Sequence, residues 1–128
     1  MIREPIPNFS LTTFDCWDDM IVFGSQNGKV YLHSISQDKY IYKAFEIAKG
    51  ETMIVNCLKF IPTRGITGVD LLTSSNDCTV KVYDLQDMKP KLNFEFKEPI
   101  NIAEVSPDGN LLGVYGDCLQ ADIMDMRS

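Results

Sequence analysis

The chain has 128 residues, 45% of them hydrophobic and 23% charged, with 12 Lys and Arg against 18 Asp and Glu for a formal net charge of −6. Such a balance belongs to a folded soluble sequence, and the dispersed basic residues offer no footprint for a phosphate backbone, so direct nucleic-acid binding is excluded. No apolar run approaches the roughly 18 residues of a membrane span, and the opening "MIREPIPNF" lacks the hydrophobic stretch of a signal peptide, so the sequence implies no membrane and a cytoplasmic and/or nuclear location.

Strand signals run the length of the chain. Short segments rich in β-branched and aromatic residues occupy 20–25, 29–35, 40–47, 54–61, 69–75, 79–85, 92–97, 101–106 and 110–116. The only helical candidate, "YIYKAFEIAKGE" at 40–51, opens on β-branched and aromatic residues after a polar turn, which favours a strand. Between the strands lie turn signals. "SQNG" (25–28) predicts a tight hairpin with Asn27 and Gly28 both suited to positive φ, and "SPDG" (106–109) predicts a type I turn. "SNDC" (75–78) is the polar counterpart in mid-chain, and "TRGITG" (63–68) reads as a longer loop.

The segments also repeat. "IVFGSQNGKVYLHS" (21–34), "LLTSSNDCTVKVYD" (71–84) and "LGVYGDCLQADIMD" (112–125) align at offsets of 50 and 41 residues. A period of about 40 to 50 residues with four strands per unit is the signature of a β-propeller blade. Adding a first strand before 20–25 and a third strand after 110–116 gives eleven strands: four over about 10–48, four over 54–97 and three over 100–128. The predicted class is therefore all-β, with about three antiparallel blades. Closed propellers typically need about four to eight, so the sequence predicts an incomplete ring, either part of a larger propeller or completed by another chain, with "MIREPIP" a candidate closing strand.

The mid-chain unit resembles the WD40 repeat family. "LLTSSNDCTVKVYDL" follows that family's second strand, Asp-containing turn and third strand, with Tyr83-Asp84 at the Trp-Asp position, and "INIAEVSPDGNLLGV" (100–114) resembles its first-to-second strand passage. The first unit is degenerate, with His33-Ser34 and Asn27 at the corresponding positions, Cys118 stands at the turn Asp of the third, and no unit carries the family's Gly-His pair. More narrowly, "EPINIAEVSPDGNLLGVYGDCLQADIMD" (98–125) is similar to a segment of fungal WD-repeat proteins that include a substrate receptor of the GID ubiquitin ligase. That resemblance implies ubiquitin-ligase subunits and degron-bearing substrates as protein partners.

Candidate chemistry is sparse. His33 is the sole histidine and falls on a strand, no nucleophile and base share a recognisable spacing, and no cofactor or metal motif is present, so an enzyme is not expected. Cys16, Cys57, Cys78 and Cys118 show no ligand spacing and read as buried reduced thiols. Trp17 reads as a core residue beside Phe14, Cys16 and Met20, or else as an exposed partner anchor, with the core favoured; Asp18 and Asp19 read as a solvated turn. By the resemblance, Asp77 holds its turn through backbone N–H groups, Asn27 does so more weakly, and Asp117 stands in for the missing acid at 118.

In the family, the connections between blades and the turns between second and third strands share the rim that receives partners. Here that rim maps to Gln26, Asn27, Glu51, Thr52, Asn76, Asp77, Glu98, Asn101 and Asp117. Its acidity suits a positively charged N-terminus or basic segment, although an acidic protein carries acidic turns everywhere. The expected function is a protein-interaction module of a multi-subunit assembly, foremost a ubiquitin-ligase receptor for N-terminal degrons. The alternative is a non-catalytic scaffold in trafficking, RNA processing or chromatin complexes, since fold does not fix function.

Overall fold

The computed structural model describes residues 11–36, 39–47, 54–62, 69–85, 87–117 and 121–127. They form eleven strands and no helix, in three antiparallel sheets. The first sheet runs β1 (Leu11–Trp17), β2 (Met20–Ser25), β3 (Lys29–Ser36), β4 (Lys39–Glu46). The second runs β5 (Val55–Pro62), β6 (Val69–Ser75), β7 (Thr79–Asp84), β8 (Pro90–Glu95), and the third β9 (Ile100–Val105), β10 (Leu111–Gly116), β11 (Ala121–Asp125). Each strand pairs with its neighbour in sequence, the simplest way to close strands joined by short turns. The all-β expectation is met, and the 40–51 segment is strand over Lys39–Glu46. The "TRGITG" loop and the "MIREPIP" segment lie outside the described residues.

The sheets pack face to face in chain order. One core cluster joins the first sheet to the second through Val22, Val30, Leu32, Leu58, Phe60, Leu71 and Tyr83. Another joins the second to the third through Ile61, Leu72, Val80, Val82, Ala103, Leu112 and Val114. Period-2 alternation explains how one sheet serves both: along β5, Leu58 and Phe60 turn to one side while Cys57 and Ile61 turn to the other. Polar bonds fix the stacking. Asp15 in β1 accepts the Phe60 N–H at 2.9 Å, and the buried Tyr83 hydroxyl donates to the Ile47 carbonyl at 3.5 Å.

Several local expectations are corrected. In the 25–28 turn only Gly28 has positive φ (79°), while the Asn27 side chain accepts the Lys29 N–H at 3.3 Å. Cys78 holds the same place in the 75–78 turn with φ 71°, and its N–H donates to the Ser75 carbonyl at 3.2 Å. Both are therefore type I turns closed by a left-handed residue, which need one positive φ and not two. Trp17 is 41% exposed at the end of β1, and Cys16 is exposed as well, because the first sheet turns that strand's outer end to solvent. Cys57 is buried as expected, and burial pushes its thiol pKa up. Among the described residues no helix is long and apolar enough to cross a membrane.

Candidate functional site

Each sheet's first strand begins where its second strand ends: Leu11 pairs with Ser25, Val55 with Ser75 and Ile100 with Gly116. Immediately after that first pair the register slips in all three sheets, between Leu11 and Thr13, Val55 and Cys57, and opposite Tyr115 and Gly116. A slip of one residue is a β-bulge, and it leaves Thr12, Asn56 and Asn101 unpaired and turned out of the ladder. Two of these side chains reach across to the next sheet. Thr12 Oγ1 donates to the Val55 carbonyl, and Asn56 Nδ2 donates to the Ile100 carbonyl at 2.9 Å. Strand starts and turns from three sheets are thereby aligned along one rim.

The rim's best-formed part lies between the second and third sheets. Asn56 Nδ2 also donates to Asn76 Oδ1 at 2.7 Å, and Asn101 Nδ2 donates to Asp117 Oδ1 at 3.1 Å. Pro99, in the link between these sheets, accepts the Asp117 N–H at 3.3 Å. Gly116 makes that approach feasible: a Cβ there would lie 2.4 Å from the Pro99 oxygen, well inside contact distance. The same link bounds a cleft of about 370 Å³, lined by Glu95, Phe96, Lys97, Glu98, Ile100, Val114, Gly116 and Asp122. Glu98 Oε2 is buried there and has no hydrogen-bond partner among the described residues. A buried acceptor left unpaired is costly, so a donor or cation entering the cleft has a ready counterpart.

The expected rim residues divide accordingly. Asn76, Glu98, Asn101 and Asp117 are brought together around the Glu98–Asn101 link. Gln26 is exposed in its turn, and Asn27 and Asp77 serve their own turns: Asp77 Oδ1 accepts the Thr79 N–H at 3.0 Å and the Thr79 hydroxyl at 2.5 Å. Asp77 thus holds its turn as the resemblance implied. The Asp117 carboxylate accepts from Asn101 on the neighbouring strand, and the turn residues 118–120, which its expected local role concerns, lie outside the described residues. Glu51 and Thr52 lie outside the described residues.

Thr12, Asn56, Glu95, Lys97, Gly116 and Asp122 also belong to this rim or its cleft and are not among the residues sequence reasoning selected. One signal for the first two is visible in the aligned strand starts, where an apolar residue is followed by a polar one in "LTT", "VNC" and "INI". Nothing in the spacing of Glu95 and Asp122 marks them, since they come from strands of different sheets. Among the described residues no three His, Cys, Asp or Glu groups are placed to hold a metal ion. The cleft's three carboxylates beside one lysine suit a larger cationic group such as an ammonium.

No family model matches the chain. It is similar to Restriction of telomere capping protein 1 of Clavispora lusitaniae (strain ATCC 42720), at 29% identity over 89 residues, which are 70% of this chain. The matched stretch spans 7% of the length of that curated relative.

Proposed function

We propose that the chain is a protein-interaction module built as part of a WD40-type β-propeller, and that it captures a basic segment or a free N-terminus at the cleft between its second and third sheets. Three consecutive antiparallel meanders with a 50- and 41-residue repeat support the propeller reading. The single observation that carries the binding reading is the buried, unpaired Glu98 Oε2 in a cleft that also holds Glu95 and Asp122. An ammonium there gains a charge-assisted hydrogen bond while relieving that desolvated oxygen. Such a site binds and positions a partner and does no bond chemistry.

Substrate recognition for a ubiquitin ligase is the assembly role proposed for this binding, on the resemblance of residues 98–125 to GID-type receptors. The second reading is a non-catalytic scaffold in a larger complex, since fold does not fix function. Fluorescence anisotropy with paired peptides, one bearing a free α-amine and one acetylated, tests the site. Preference for the free amine, lost in Glu98→Gln, is expected; equal binding of both peptides, or binding untouched by Glu98→Gln, rejects it. The two assembly roles separate in cells: deleting a receptor lengthens the half-life of particular proteins, whereas deleting a scaffold dissociates a complex.

A further inference from the structure

Asn101 repeats Asn56 in place, residue type and partner. Both are bulge residues, and each gives one amide hydrogen to the turn of its own sheet, Asn56 to Asn76 and Asn101 to Asp117. An amide NH₂ has two hydrogens. Asn56 spends its second on the Ile100 carbonyl of the following sheet, and Thr12 makes the equivalent bond to Val55 one sheet earlier. The second hydrogen of Asn101 has no partner among the described residues, and no described sheet covers the outer face of the third sheet.

That face carries a group of exposed apolar side chains, with Glu104 and Asp125 on the same side. Cross-strand pairing puts Ile102 opposite Tyr115 and Ile123 opposite Gly113, on the side away from the second core cluster. Ile102 is 57% exposed and Ile123 75%, with Tyr115 and Leu111 also exposed. Ile102 occupies the position from which Thr13 and Cys57 face the next sheet in the first two units. The series Thr12 to Val55, Asn56 to Ile100 therefore has a prepared third donor, and the acceptor that fits it is a first-strand carbonyl at the residue before a bulge.

The chain itself carries such an acceptor. Leu11 holds that position in the first sheet, and beside it Phe14, 65% exposed, and the exposed Cys16 face away from the second sheet. We propose that a second copy of this chain docks the β1 side of its first sheet on the open face of the third, with Asn101 Nδ2 donating to the neighbour's Leu11 carbonyl. The contact is head to tail, joining two different faces, so copies form a closed ring if the rotation closes and a filament if it does not. It concerns sheet faces and not the Glu98 cleft, so it stands or falls independently of the partner reading.

Sedimentation velocity over a concentration series tests it, because heterologous contacts obey a complementation rule. Ile102→Glu disables one face and Phe14→Glu the other, each at an exposed position, with circular dichroism confirming that both fold. The wild-type chain is expected to self-associate, each variant to sediment as a monomer, and an equimolar mixture to form a 1:1 dimer and nothing larger. Asn101→Ala is expected to weaken association about tenfold, the equivalent of one net hydrogen bond. If Ile102→Glu does not fold, Ile123→Lys replaces it on the same face. A wild-type chain monomeric at every concentration overturns the proposal, as does a variant mixture that stays monomeric, which would leave the face to a sheet other than this chain's first.

Discussion

Leu71-Leu72 and Leu111-Leu112 are identical dipeptides in the second strands of consecutive sheets, offset by one position so that Leu71 corresponds to Leu112, and their fates differ. Leu71 and Leu72 are 0% and 1% exposed, whereas Leu112 is fully buried and Leu111 is 43% exposed. β6 lies in a sheet covered on both faces, and every residue from Asp70 to Ser75 is buried; β10 lies in a sheet covered on one face, and its burial alternates. Sandwiching removes the alternation that a strand otherwise shows. The middle sheet is the folding core of this chain, and the outer two supply its covers.

The comparison predicts its own largest effect. Leu71→Ala should lower unfolding free energy by about 3 kcal/mol, the usual cost of a cavity at a fully buried leucine, while Leu111→Ala should stay within about 0.5 kcal/mol. Urea denaturation at a concentration where copies are dissociated measures both. Equal losses at the two positions would mean that the third sheet's open face is covered within one molecule.

Tyr83 sharpens the same contrast by pH. It packs in the core between the first and second sheets, where burial, with the Asp77 carboxylate adding to it, pushes its phenol pKa up from about 10 to about 12. The folded state keeps a proton that the unfolded chain releases, so this contribution is whole below pH 10 and is lost as pH rises through 12. The loss should reach about 2 kcal/mol, and Tyr83→Phe should remove that part of the alkaline decline. Stability curves collected between pH 9 and 12 provide the check, read alongside the Cys57 thiol, whose raised pKa acts with the same sign.

The strands were legible because each pairs with its sequence neighbour and is bounded by Gly, Pro, Asn and Asp, so local chemistry and final topology agree. Trp17 and Cys16 were misread for a reason that a single sequence does not contain: their burial depends on what lies against the first sheet. Glu98, Asn101 and Asp117 were selected through the family resemblance, and they lie close together around the link between the second and third sheets. Asn56 was not, since its importance comes from a bulge and a carbonyl in another sheet. Glu95 and Asp122 meet only after the second and third sheets pack, so their convergence has no signature along the chain.

The two aligned asparagines give a finer test of inner against outer position. Asn56→Ala removes bonds to Asn76 and Ile100 and should cost about 1 to 2 kcal/mol, while Asn101→Ala removes one bond at an exposed site and should cost about 0.5 kcal/mol or less in the isolated molecule. Amide hydrogen exchange in β9 should accelerate in Asn56→Ala, because the lost bond tied that strand to its neighbour. Unchanged exchange would argue that apolar packing alone fixes the interface.

The smallest expected effect compares two turns that share one geometry. Gly28 and Cys78 both take positive φ, at 79° and 71°, yet only glycine does so without a Cβ clash. Replacing Cys78 by glycine relieves that strain, worth about 1 kcal/mol or slightly more, and gives part of it back through the greater freedom of the unfolded chain. A net gain of about 0.5 kcal/mol is expected for Cys78→Gly, and a loss of about 1 kcal/mol for Gly28→Ala. The unfolding midpoints of both variants measure the difference. A destabilised Cys78→Gly would assign the thiol, whose sulfur lies 3.8 Å from the Asn76 carbonyl oxygen, a greater share in holding the turn than its backbone strain costs.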